Sequence, residues 1–139
     1  MKHSVPALVV LAVLSNSGCG VSSTLTAEQQ FMTNVVPILE ARCGDSSCHG
    51  VPIDAAEVGL AVDWSQFLFE VDGSGRATDP AALYSAALDK INSVEDPVFS
   101  SLLRKPLSVN DGGVAHYGAA SFSGFRDESY QEIWRWIES

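Results

Sequence analysis

The residue types in this chain that can do chemistry gather in one stretch, Cys43-Gly44-Asp45-Ser46-Ser47-Cys48-His49-Gly50. Two thiols four residues apart, with an imidazole directly after the second, suit three chemistries. The sulfurs can add to the vinyl groups of a haem while the imidazole ligates its iron; the usual spacing has two residues between the cysteines, and four is a variant of it. The thiols can instead close a short disulfide, as they do in exported proteins. Or two cysteines and a histidine can supply three ligands of a zinc ion. The local motif leaves all three open. In the first of them Cys43 and Cys48 are tethers and His49 is the proximal ligand.

The chain has 139 residues, the length of one domain, and shows no internal repeat. It opens with Lys2 and His3, an apolar run from Ala7 to Leu14, and then Ser15-Asn16-Ser17-Gly18-Cys19. That pattern reads as an export signal too short to span a membrane. Its ending resembles a bacterial lipoprotein signal, with Ser17 and Gly18 before a cysteine, Cys19, that would be lipidated and become the new N-terminus. Asn16 stands where a larger aliphatic residue is usual, and ordinary cleavage nearby is the alternative. Residues 1–18 are thus read as the leader, 19–26 as a tether and 27–139 as the domain. The 8 basic and 17 acidic residues become 7 and 17 once Lys2 leaves with the leader, a net −10. That balance argues against nucleic-acid binding and favours a partner with a basic docking patch. With Cys19 and His3 set aside, the domain's chemistry rests on Cys43, Cys48, His49 and His116.

Several elements must position these residues. Thr26 and Gln29 have the spacing of a capping box, and Phe31, Val35, Ile38 and Leu39 continue at helical intervals, which predicts a helix over about 27–42 that delivers Cys43 to its end. Pro37 lies inside it and removes one backbone bond, predicting a kink. Val51 to Glu57 reads as loop and Gly59 to Val62 as extended. Asp63 can cap a short helix with Trp64, Phe67, Leu68 and Val71 on one face, ended by Gly73 and Gly75. Asp79-Pro80 and Asp96-Pro97 are two copies of a helix start. The first predicts a helix over about 80–91 with Tyr84, Ala87, Leu88 and Ile91 inward, the second one over about 97–105 with Phe99, Leu102 and Leu103 inward. Leu107 to Gly124 is a long glycine-rich loop with His116 in its middle. Tyr130, Ile133, Trp134 and Ile137 form one stripe of a final helix over about 127–138, with Trp136 at the stripe's edge.

Taken together, Val36-Pro37-Ile38-Leu39, Cys48-His49-Gly50, Ser101-Leu102-Leu103-Arg104-Lys105-Pro106, His116-Tyr117-Gly118 and Trp136-Ile137 resemble, in order, segments of the class I cytochrome c family, and in particular of its planctomycete-type domains. The resemblance covers roughly residues 27–138. It departs from the family in the four-residue cysteine spacing and in Ala119, where a second glycine is usual after the loop histidine. It implies an all-α, class I cytochrome c-like domain whose N- and C-terminal helices pack across each other, with long loops around a pocket for one covalently attached haem c. Within it the sixth iron ligand follows by elimination. Met1 is in the leader and Met32 sits on the helix before the motif, so His116 is the remaining choice, and the iron is expected between His49 and His116.

The resemblance implies a single-electron carrier and not an enzyme, on the periplasmic side of a bacterial cell-envelope membrane, held there by a lipid on Cys19 and exchanging electrons with redox partner proteins. The residues also admit a non-redox exported lipoprotein domain with a Cys43–Cys48 disulfide, or a haem site whose distal position stays open. No serine, histidine and carboxylate arrangement for nucleophilic catalysis is evident.

Overall fold

The computed structural model describes residues 24–55, 63, 66–116 and 118–139. The leader, Cys19, the extended reading of 59–62 and Trp64 lie outside the described residues.

The domain is helix-rich. Its first helix, α1, begins at Ala27–Gln30, widens into a π-helical segment at Phe31–Val35 and resumes as Val36–Cys43. Thr26 caps it, its side chain accepting from the Gln29 amide while the Gln29 side chain accepts from the Thr26 amide. Pro37 falls at the start of the resumed segment. Proline has no N–H to give an i−4 carbonyl and its ring crowds the preceding turn, and the wider π segment upstream meets that demand.

After the cysteine motif the chain pairs in a way the residue pattern did not announce. β1, Gly50–Pro52, runs parallel to β2, Phe69–Val71, with Gly50 opposite Phe69 and Pro52 opposite Val71. This pair adds a small sheet to a mostly helical domain, where an all-α one was expected. It also corrects the loop expected from Val51 and the helix expected across Phe67 to Val71. Phe69 and Val71 are buried and Glu70 is exposed between them, a period of two that suits a strand.

Next come α2, Pro80–Leu88, capped by the Asp79 carboxylate on the Ala81 and Ala82 amides, a 3₁₀ turn at Pro97–Phe99 and α3, Ser101–Arg104. On α2 Leu83 and Ala87 are the buried pair and Leu88 is 44% exposed. The single helix expected over 97–105 is broken at Ser100, whose ψ of 132° is extended. The break turns Phe99 outward, while Leu102 and Leu103 stay buried. Asp96 makes no side-chain cap.

The last helix, α4, is Glu128–Ile137, with Asp127 accepting from the Ser129 amide at its start. Tyr130, Ile133, Trp136 and Ile137 are buried, and Trp134 is only partly so, which moves Trp136 from the edge of the expected stripe to its centre. The cause is α1. Trp136 Nε1 donates to the Ala27 carbonyl at 3.0 Å, its ring lies 4.7 Å from that of Phe31, and Asn34 Nδ2 donates to Glu132 Oε1 at 2.7 Å. The terminal helices therefore meet through a core of Phe31, Val35, Leu39, Leu83, Leu103, Tyr130 and Ile133. Among the described residues no helix is long and apolar enough to cross a membrane.

Candidate functional site

Cys43 is the last residue of α1, buried at 7% exposure, and Cys48 is exposed; both are free thiols. Between them the backbone folds back on itself. The Cys48 and Gly50 amides both donate to the Asp45 carbonyl, at 2.8 and 3.1 Å, and the His49 amide reaches the Cys43 carbonyl at 3.1 Å. Asp45 tightens the loop further by accepting from the Ser47 amide and hydroxyl. A side chain at position 50 would run into the Gly44 carbonyl, so glycine is required directly after His49.

His49 is half-buried, and its Nδ1 bonds to the Phe67 carbonyl. A carbonyl can only accept, so Nδ1 carries the proton and Nε2 keeps its lone pair. An imidazole fixed in this tautomer by a backbone oxygen is arranged as metal-ligating histidines usually are. Burial pulls the His49 pKa down against the lift of the Phe67 carbonyl, and His116 and Lys105 lower it further, so the ring stays neutral at neutral pH.

His116, on the loop between α3 and α4, comes back to the same place. Its ring centroid lies 5.6 Å from that of His49, with the ring planes 20° apart. It is half-buried, and its Nδ1 is buried with no hydrogen-bond partner among the described residues. An unpartnered buried ring nitrogen is uncommon, since desolvating such a group without a partner costs about 1–3 kcal/mol. Gly118 shapes the loop just past it, with φ of +118° that a residue with a side chain rarely adopts.

Cys43, Cys48, His49 and His116 line one cavity of about 450 Å³, within the range of small-molecule and cofactor sites. Leu39, Phe67, Leu102, Pro106 and Phe122 supply its apolar wall. Ser101 and Lys105 also line it, which brings the Ser101 to Pro106 segment to the same place as the cysteine motif. Among the described residues no three His, Cys, Asp or Glu side chains converge on a point that would hold a metal ion. The two thiols and two imidazoles surround a space instead of closing on one ion.

Arg42 ties this cavity to the rest of the fold. Its Nη1 donates to the Ser121 carbonyl at 3.0 Å, the Ser121 hydroxyl donates back to the Arg42 carbonyl at 3.3 Å, and Nη2 lies 4.0 Å from Asp127. The Ser121 and Phe122 amides both donate to the Pro106 carbonyl. The residue before the first cysteine thus fastens the histidine-bearing loop. Burial pushes the Cys43 thiol up to about 11, Cys48 adding to the rise and the Arg42 guanidinium opposing it.

The sequence pointed to the four side chains but not to the Phe67 carbonyl, Arg42 or Lys90. A carbonyl leaves no trace in residue type, and Arg42 and Lys90 arrive through tertiary packing. Comparisons with protein-family models, with curated proteins and with solved structures give no match for the chain. Function is therefore argued from the cavity itself.

Proposed function

We propose that this chain is an exported c-type cytochrome, a single-electron carrier with one haem tethered through Cys43 and Cys48 and ligated by His49 and His116. The observation that carries the reading is the pair of near-parallel imidazoles, 5.6 Å apart, on one apolar-walled cavity lined by both free thiols. Two metal–nitrogen bonds of about 2 Å each, plus roughly 1.1 Å from each nitrogen to its ring centre, would put two axial imidazoles about 6 Å apart by their centroids. The observed 5.6 Å is roughly half an ångström short of that sum.

The donor set also fits. His49 offers a lone pair at Nε2 because Phe67 holds the proton at Nδ1. His116 offers a ring whose buried nitrogen has no protein partner. Cys43 and Cys48 both line the cavity, where they would supply the thiols that addition to vinyl groups requires. When bound, haem supplies one-electron chemistry at iron. Two imidazole ligands leave no position for substrate, which is why the reading is of a carrier and not of a catalyst, and imidazole in place of methionine lowers the reduction potential. The apolar wall of Leu39, Phe67, Leu102 and Phe122 would exclude water from the ring faces.

The same proposal, on the strength of the export signal and Cys19, has this carrier on the periplasmic side of a bacterial envelope membrane as a lipoprotein that exchanges electrons with partner proteins. The test is the natively exported chain run on a denaturing gel and stained for haem-linked peroxidase activity, with a visible spectrum of the native protein. The expected result is a stained band that disappears in a Cys43→Ser, Cys48→Ser double variant, and a low-spin bis-imidazole spectrum. A colourless protein with Cys43 and Cys48 bonded to each other would overturn the reading in favour of a non-redox lipoprotein domain.

A further inference from the structure

The cavity wall carries charge of one sign. Arg42, Lys90 and Lys105 line it, and among the described residues no Asp or Glu does, in a chain where acids outnumber bases 17 to 8. Arg42 is occupied by the Ser121 carbonyl and faces Asp127. Lys90 and Lys105 make no side-chain hydrogen bond or ion pair among the described residues.

The backbone brings these two amines to the same cavity. Lys90 follows α2, its amide bonded to the Ala87 carbonyl, and its own carbonyl accepts from the Leu102 amide on α3. Lys105 caps the other end of that short helix, its amide bonded to the Ser101 carbonyl. One hydrogen bond across the two segments thus fixes the elements that bring both lysines to the wall. Lys90 is half-buried and Lys105 is exposed. Two like charges on one partly apolar cavity repel each other unless an anion lies between them, and among the described residues no carboxylate is paired with either.

We propose that Lys90 and Lys105 bind the two propionate carboxylates of the tetrapyrrole, an inference that rests on the haem reading above. The porphyrin that carries vinyl groups on one edge carries its two carboxylates on the opposite edge. The cysteines come from the end of α1 and the loop after it, and the lysines from α2 and α3, so the two kinds of group are served by separate parts of the fold. The pairing gives the ring one rotational setting, in which the vinyl groups face the thiols before any bond is made.

The test separates the lysines from the iron. The full chain, produced without haem, is titrated with iron-free protoporphyrin and with its dimethyl ester, in which both carboxylates are masked; porphyrin fluorescence reports binding. The native chain should bind the free acid on the order of tenfold more tightly than the ester, the sum expected of two partly exposed charge pairs. Lys90→Gln with Lys105→Gln should bring the free acid down to the ester's affinity without changing the ester's, and Lys90→Arg with Lys105→Arg should restore most of the difference. The unchanged ester affinity shows that the glutamine variant is folded. Equal affinity of the native chain for the two forms, or a glutamine variant that still prefers the acid, overturns the proposal and leaves the amines to an acidic protein surface. Titration with iron protoporphyrin tests the parent reading separately: a bis-imidazole spectrum without carboxylate preference overturns this inference alone, while failure to bind either porphyrin overturns both.

Discussion

The two thiols of the motif should differ sharply in reactivity before haem is attached, and the structure sets the size of the difference. Cys43 is 7% exposed, with its pKa pushed up to about 11. Only the thiolate attacks a disulfide reagent, so at pH 8 about one Cys43 in a thousand is competent, against roughly a quarter of an ordinary thiol of pKa near 8.5. Ionisation alone slows Cys43 about 200-fold. A more basic thiolate is also a better nucleophile, and a Brønsted slope of about 0.4–0.5 over this interval returns roughly tenfold, leaving a net slowing of about 20-fold before burial is counted. The assay is a timed reaction of the haem-free chain with an aromatic disulfide, quenched, denatured and cleaved before Asp45 so that the two cysteines fall on different peptides for mass analysis. Exposed Cys48 should label first. Cys43 should follow at least 20-fold more slowly, accelerating about tenfold per pH unit until close to pH 11. Equal rates at pH 8, or a Cys43 rate that levels off below pH 9.5, would show that the thiol is not buried as described. The same penalty acts against the competing disulfide, because Cys43 must ionise or be attacked by an approaching sulfur in order to oxidise.

Other residues give sharper tests of how the site is held. Arg42→Ala should release the loop from α1: the ion pair with Asp127 is long at 4.0 Å and open to solvent on the arginine side, so it contributes little, and the bond to Ser121 sets a loss of about 1 kcal/mol. Hydrogen exchange at the Ser121 and Phe122 amides should then quicken about fivefold, and unchanged exchange would refute the link. Trp136→Ala removes a nearly buried ring and should cost about 3–5 kcal/mol. Trp136→Phe keeps most of the packing, loses the bond to Ala27 and should cost about 1 kcal/mol, both read by denaturant unfolding. Asp127→Asn tests the cap of α4. Burial raises the Asp127 carboxyl, but the Ser123 and Ser129 amides, the Ser123 hydroxyl and Arg42 together hold it below the usual carboxylate range. Its stabilisation is therefore complete above the unfolded value near 3.9 and lost as pH falls through the folded one. The native chain and the Asp127→Asn variant should differ in melting temperature at pH 7 and converge as pH falls through the lowered folded-state value; a constant difference would refute the charge's role.

What could be read in the sequence was what local chemistry decides. The Thr26–Gln29 box and the Asp79 cap each satisfy amides within three residues, so residue type and spacing suffice. The stripe of α4 was legible as a stripe but not in its centre, because Trp136 is drawn inward by Ala27 at the far end of the chain. Phe69 to Val71 reads as helix from its neighbours' spacing, and what decides it is a partner strand 19 residues away, Gly50 to Pro52. The four side chains of the site were legible because cysteine and histidine are scarce here. That His49 and His116 would stand 5.6 Å apart was beyond sequence, since the loop is brought home by Arg42, Ser121 and Pro106 in contacts that span most of the domain.

The features of the cavity constrain its occupant more tightly together than any does alone. A purely apolar ligand would account for the Leu39, Leu102 and Phe122 wall but would leave the lone pair of His49 and the buried nitrogen of His116 without a partner and make no use of the two lysines. A small anion would satisfy the lysines and waste the apolar wall. An occupant that satisfies every group must be broad and apolar, accept an imidazole from each side, carry anionic groups and present carbons that thiols can attack. A haem has all four properties, and the functional reading is drawn from that conjunction: the haem stain and visible spectrum test the reading itself, while the free-acid and ester titration, which changes one property and keeps the other three, tests the part the lysines play in it.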